Sequence, residues 1–217
     1  SSSRSTNFPV MNSFQAANAG QQDGVLFKLT NDLSTMVWST YFGGTKNDAC
    51  YSVKLDSSYN IIIAGGTSSN NLPGTAGALY PTYQGGSTDG YVAKISPDGS
   101  TLVRTTYFGT PTYDQVYFAE IDRWDNIYIY GQTNGNTPII NAPYSNANSG
   151  QFIAKLFPDL TAIDYSTRIG NGDGNPDISP SAFLVDVCSN VYISGWGANI
   201  LQATPLNGMP TTSDALQ

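Results

Sequence analysis

The sequence contains no histidine, and it carries few charges of either sign: 9 Lys and Arg against 16 Asp and Glu in 217 residues. Charged residues make up 12 % of the chain, where roughly a quarter is ordinary. Without histidine the chain lacks the usual base of hydrolytic triads and the commonest zinc ligand. A net charge of -7 repels phosphate backbones, which argues against a nucleic-acid partner. No apolar run approaches the roughly 18 residues of a membrane-crossing helix, so membrane insertion is not expected. Cysteine is scarce. Cys50 and Cys188 stand at different places in different repeats, which argues against a bridge between them and leaves a partner elsewhere open. P-loop, G-x-S-x-G and zinc-ligand spacings are missing too. The opening residues, SSSRSTNFPV, hold neither an initiator Met nor an apolar signal core, so the chain reads as a mature product or an excerpt.

What the sequence does have is repetition. The stretch Thr40–Thr67 returns as Thr106–Thr133, with Tyr41-Phe42-Gly43 matching Tyr107-Phe108-Gly109. Asp48 matches Asp114, Asp56 matches Asp122, Asn60 matches Asn126 and Gly65 matches Gly131, every pair 66 residues apart. A looser third copy holds Arg168-Ile169-Gly170, Asp186, Asn190 and Gly195. A fixed period of this length means repeated supersecondary units, here placed at approximately 14–78, 79–141 and 142–215.

Each unit reads as four short strands. The first is Gly24–Leu29, returning as Gly90–Ile95 and Gln151–Leu156. A turn follows, clearest in Ser96-Pro97-Asp98-Gly99, where Pro presets φ and Gly accepts φ > 0. The second strand is Met36–Phe42, matched by Leu102–Phe108 and Ile163–Ile169. The third is Tyr51–Leu55, matched by Tyr117–Ile121 and Phe183–Val187. The fourth is Ile61–Gly65, matched by Ile127–Gly131 and Val191–Gly195. The third and fourth are spaced as a hairpin. The fourth is apolar on both faces, as a strand between two other sheets must be. Its closing Gly predicts a bend or a close backbone approach.

Four-stranded antiparallel units stacked on their own copies are propeller blades. The fold class is therefore all-β: a β-propeller segment of about three four-stranded blade repeats, part of a larger propeller. Two blade frames fit the repeat, and the one with the third strand innermost is preferred. It makes residues 24–42 the outer half of one blade, follows with two whole blades, and starts the last near Ser181. Closed propellers need about four to eight blades, so the ring is incomplete. The final Asp214-Ala-Leu-Gln217 aligns with Gly77-Ala-Leu-Tyr80 as the start of another copy.

These strands resemble the β-propeller repeat of bacterial surface proteins, often described as a seven-bladed propeller repeat. The likeness rests on Asp89-Gly-Tyr-Val-Ala-Lys-Ile95, Ser39-Thr-Tyr-Phe-Gly-Gly44 and Asn126-Ile-Tyr-Ile-Tyr-Gly-Gln-Thr133. The third copy departs from it at Arg168, Ile169 and Gly197. The stretches Val187–Gly197 and Leu206–Gln217 look like long Bacteroidetes proteins with a gliding-motility-type C-terminal sorting domain and type IX secretion. The resemblance implies an extracellular or cell-surface protein and no particular reaction.

Several residues are candidates for binding. Asn171–Asp177 sets oxygen ligands at alternate positions, as calcium loops do, through Asp173, Asn175 and Asp177. It lacks the usual acidic order and closing Glu, and a Gly/Asn/Asp turn explains it equally. Asp48 and Asp114, at equal repeat positions before the innermost strand, are placed either to bind a cation, to work as acid and base, or to cap a turn. Lys54 and Glu120 are placed to pair between neighbouring blades. Tyr80, Tyr83 and Tyr144, in the long loops after the fourth strand, are candidate anchors for sugar or protein.

The functional expectation is a non-catalytic extracellular module that binds a surface polysaccharide or a protein, with the remaining blades or domains of a parent protein as neighbours. A propeller of a secreted glycan-active or peptidase enzyme, and a spacer in a surface stalk, are the alternatives.

Overall fold

The structure is a computed structural model and describes residues 2–197 and 211–215. Most of the loop after Gly197, including the Leu206–Asn207 stretch and the last two residues, lies outside the described residues. Among the described residues the chain forms strands and no helix. In order they are β1 (Ser2–Ser3), β2 (Asp23–Leu29), β3 (Met36–Phe42), β4 (Asp48–Leu55), β5 (Ile61–Thr67), β6 (Asp89–Ile95), β7 (Leu102–Phe108), β8 (Asp114–Ile121), β9 (Ile127–Thr133), β10 (Gln151–Leu156), β11 (Ile163–Ile169), β12 (Ile178–Val185) and β13 (Val191–Gly197).

These strands make two complete antiparallel sheets, β4-β5-β6-β7 and β8-β9-β10-β11. A β1-β2-β3 sheet precedes them and a β12-β13 hairpin follows. Each complete sheet opens on the third strand of a sequence repeat, so a sheet straddles two repeats. The first strands meet one another, β4 against β8 and β8 against β12. The architecture is an open propeller segment: two whole blades, the outer half of one before them and the inner half of one after.

The second strand of each blade shows why the sheets stack. In β5, Ile62 and Ala64 sit in a core shared with Ala119, Ile127 and Ile129 of the following sheet. Ile61 and Ile63 sit in a different core with Leu26, Trp38 and Phe42 of the preceding one. In β9, Ile127 and Ile129 face back while Tyr128 and Tyr130 face forward to Phe183 and Val185. Alternating side chains of one strand thus bury against different neighbours, which is the reason both faces are apolar.

The inner strands begin three residues or more before the expected starts, because each carries a bulge that breaks the apolar alternation. Register shifts fall between Cys50 and Ser52, Val116 and Phe118, and Pro180 and Ala182. β12 also ends at Val185, before Asp186, so Val187 lies in the turn and is exposed. Opposite each bulge stands a glycine: Gly65, Gly131 or Gly195. None has a positive φ. The requirement is space: a Cβ on Gly65 would lie 1.8 Å from the Ala49 carbonyl oxygen. The residues the bulges leave over, Tyr51 and Tyr117, stack on each other with centroids 5.4 Å apart and planes 16° apart. Beside them Ser52 Oγ accepts the Ala119 N–H at 3.0 Å and Lys54 pairs with Glu120 at 2.6 Å, the pairing anticipated from repeat position.

The hairpin turns use a repeated carboxylate. Asp56 accepts the N–H groups of Ser58 and Asn60 at 3.0 and 2.8 Å, and Asp122 accepts those of Trp124 and Asn126 at 2.9 and 3.0 Å. The turn residues Tyr59, Asp125 and Ser189 take positive φ. A lysine of the third strand of each sheet, β6 or β10, then reaches the same carboxylate: Lys94 to Asp56 at 2.8 Å and Lys155 to Asp122 at 3.6 Å. Burial pushes the Asp56 carboxyl up, but its bonds to Lys94 and Asn60 outweigh that and hold it below its ordinary value. Asp122→Ala removes these acceptors and leaves Lys155 with Asp164 alone. The expected loss is about 1–3 kcal/mol, read as a lower denaturant midpoint with an unchanged slope.

Candidate binding face

The loops after β5 and β9 and the segment before β2 do not hang free. Each runs along the open edge of an outermost strand. Residue Gly74 accepts the Thr105 N–H at 2.8 Å and Tyr80 accepts the Tyr107 N–H at 3.0 Å, both on β7. In the next unit Ile140 and Ser166 exchange both backbone bonds at 2.9 Å, on β11. Before β2, Met11 and Ser39 do the same, at 3.1 and 2.9 Å, on β3. This covers edge groups that would otherwise offer a template for strand addition.

That path decides where the loop tyrosines go. Tyr80 is half-buried and meets Phe108 edge-on at 6.2 Å. Tyr83 is half-buried against Tyr107 at 5.9 Å, and its hydroxyl donates to the Gly86 carbonyl at 3.2 Å. Burial, with Asp89 and Asp114 nearby, pushes its phenol up to about 12. Both rings hold their loop down. Tyr144 is exposed, so the three do not form one anchor set.

Asp48 and Asp114 are buried at the joints between sheets. Asp48 accepts the Gly44 N–H and the Ser69 hydroxyl, each at 2.8 Å, and a close hydroxyl bond from Thr67. Asp114 accepts both the N–H and the hydroxyl of Thr110 at 2.7 Å. The connector between blades is thereby fastened to the innermost strand. Each has a second carboxylate beside it that the sequence reading did not single out. Asp23 neighbours Asp48 and Asp89 neighbours Asp114, and the inner-strand carboxylate adds to the charging cost of Asp23 and of Asp89. Their 66-residue spacing was the available signal. Burial first, then Asp114, pushes the Asp89 carboxyl up to about 7, against the pull of the Gln84 N–H at 2.5 Å. The Asp23 and Asp89 Oδ1 atoms have no hydrogen-bond partner among the described residues. In the third copy the register sets Gly150 and Ile178 at these two places. Gln151 and Asp177 meet there instead, the Asp177 N–H donating to Gln151 Oε1 at 3.1 Å.

The Asn171–Asp177 stretch is built from turns. Asp173 accepts the Asn175 N–H and Asp177 accepts the Asn171 N–H, both at 2.8 Å, while Gly172 and Gly174 take positive φ. Asp173 and Asn175 are exposed and Asp177 is half-buried. Among the described residues no three His, Cys, Asp or Glu gather as a metal site would. Cys50 is buried and Cys188 exposed, with no disulfide between them.

One groove opens among the loops of the first whole blade and the loop leaving β9. It encloses about 560 Å³ and is lined by Gln84, Thr110, Thr112, Asn134 and Asn136, with Tyr80, Pro111 and Pro138 on its walls. No lining side chain is charged. Hydrogen bonds hold part of its lining: the Asn134 N–H donates to the Tyr113 carbonyl at 2.9 Å. Arg168 Nη1 donates to Asn136 Oδ1 at 3.0 Å and to the Gly135 carbonyl at 3.1 Å. Amides and hydroxyls beside an aromatic and proline wall suit a neutral, hydroxyl-rich ligand. Sequence spacing could not show this groove, because its sides come from loops that differ between repeats.

The chain defines a blade-repeat β protein with a polar groove on its loop face. Compared with protein-family models and with curated proteins, it matches none.

Proposed function

We propose that this chain is a non-catalytic binding module of a secreted or cell-surface bacterial protein, and that its loop face holds a neutral polysaccharide. The observation that carries this reading is the uncharged groove lined by Gln84, Thr110, Thr112, Asn134 and Asn136. Sugar hydroxyls are met by just such amides and hydroxyls, and the walls supply apolar contact for a sugar face. The resemblance of the repeats to bacterial surface propellers supports the extracellular setting and export by type IX secretion.

A second reading, a spacer in a surface stalk, is favoured by the loops lying flat along β3, β7 and β11. Paired substitution separates the two. Gln84→Ala with Asn134→Ala is expected to weaken binding to a neutral cell-surface polysaccharide by at least about tenfold, two lost hydrogen bonds being worth that or more. The melting temperature should stay put. Unchanged retention on a panel of neutral polysaccharides, or none by the unaltered chain, favours the spacer.

A further inference from the structure

We infer that Asp89 and Asp114 work as a proton-operated latch beneath the loop-face groove. A proton on Asp89 keeps two of the groove's walls fastened to neighbouring buried acids, and its loss lets the joint loosen. As a control on ligand binding, the latch rests on the reading of this groove as the binding site.

The connections come first. Asp89 opens β6 and Asp114 opens β8. Both are completely buried, and the two strands meet. Asp89 Oδ2 accepts the Gln84 N–H at 2.5 Å, and the Gly85 N–H reaches the same carboxyl. Asp114 Oδ2 accepts the N–H and the hydroxyl of Thr110, each at 2.7 Å. Gln84 and Thr110 line the groove from separate loops. Gly109, also in the lining, lies against the Asp89 carboxyl: a Cβ there would stand 2.5 Å from Oδ1. Two adjacent acids thus hold one wall each.

The second observation is what Asp89 lacks. Its Oδ1 has no hydrogen-bond partner among the described residues. A buried carboxylate short of donors is costly to keep charged. The groups that face it make this worse. They are Asp114 from β8, Tyr107 from β7 and Tyr83 from the loop between β5 and β6. Both phenols are pushed up to about 12, so they stay neutral at working pH. Neither carboxylate has a lysine or arginine paired with it among the described residues.

A proton on Asp89 removes the charge from the acid that is short of donors, and with it the repulsion from Asp114. The closed joint therefore holds that proton more tightly than an open, water-filled joint would. Its stabilisation is full below the ordinary carboxyl value of 3.8 and is lost as pH rises through about 7. The segments free to give way are those the two carboxyls fasten, Gln84 and Gly85 on one side and Thr110 on the other. Ligand affinity should accordingly be higher at pH 6 than at pH 8.

Nuclear magnetic resonance of the 217-residue chain from about pH 5.5 to about pH 8.5 tests the latch. The Gln84 and Thr110 amides are expected to shift together with one midpoint near 7. The Asn126 amide, held by Asp122, should stay still. Asp89→Asn should abolish both titrations, including that of Thr110, which is bonded to Asp114 and not to Asp89. Amides that do not shift together overturn the inference, and so does a Thr110 titration that survives Asp89→Asn. A shift of both on adding calcium chloride at constant pH also overturns it, because a cation would then be the occupant. Retention on immobilised dextran, starch and laminarin extends the test to binding. About fivefold tighter retention is expected at pH 6 than at pH 8, with no such difference in Asp89→Asn. Equal retention by the unaltered chain at both pH values overturns the latch as a control on binding. No retention at either, with the amide titration present, overturns the polysaccharide reading and leaves the latch standing.

Discussion

Gly131→Val should cost the folded chain about 3 kcal/mol, at the upper end of overpacking penalties. A Cβ there would stand 2.1 Å from the Gln115 carbonyl oxygen and 2.5 Å from the Phe152 ring. Neither can step aside. The carbonyl belongs to the bulged segment of β8, and Phe152 is stacked on Phe108 at 4.9 Å in the core between the two blades. The effect comes from space and not from φ, which any L residue adopts at this position. Gly66→Ala is the contrast. The atoms its Cβ would meet first belong to the Gln115 side chain, at 3.2 Å, and a flexible side chain gives way. Less than about 1 kcal/mol is expected there. Denaturant titration of both variants checks the pair. Equal losses would mean that the bulge and the glycine are not coupled.

The second large effect is pH. Asp89 has an ordinary carboxyl value of 3.8 in the unfolded chain and about 7 in the folded one. The folded state therefore binds the proton more tightly. Its contribution to stability is full below about pH 4 and is lost as pH rises through about 7. Asp23, Asp48 and Asp114 are raised in the same direction by burial. Asp56 and Asp122 work the other way: their values are lowered, so their contribution fades as pH falls below the ordinary carboxyl range. Stability should thus fall between about pH 4 and pH 7, by on the order of 2–4 kcal/mol for Asp89 alone. Asp89→Asn keeps the shape and the acceptor for the Gln84 N–H while removing the charge. It should flatten most of that slope. The third copy already does without the pair, with Gly150 and Ile178 at the two places. A slope that survives the substitution would assign the pH effect to other carboxyls.

The sequence showed the blade order because its period comes from what stacking demands. Ile61 to Ala64 and Ile127 to Tyr130 are apolar on both faces because each faces two sheets. Asp56 and Asp122 recur because each hairpin turn needs an acceptor for the same N–H groups. Lys54 and Glu120 could be paired from position alone, since equivalent residues of neighbouring inner strands come side by side. The starts of β4 and β8 were hidden because a bulge reverses which residues face inward. Tyr80 and Tyr83 looked like surface anchors because their segment is polar and irregular. They are half-buried because the loop binds β7 through its backbone, and no side-chain pattern records that. The groove was illegible for a related reason: Gln84, Thr110 and Asn136 come from three separate loops.

A radial arrangement with the inner strands side by side underlies the joints and the groove alike. Nuclear Overhauser contacts between the ring protons of Tyr51 and Tyr117 test it most directly. The stacked rings, 5.4 Å between centroids, require cross-peaks between two residues in successive blades. A folded spectrum without them would contradict the arrangement.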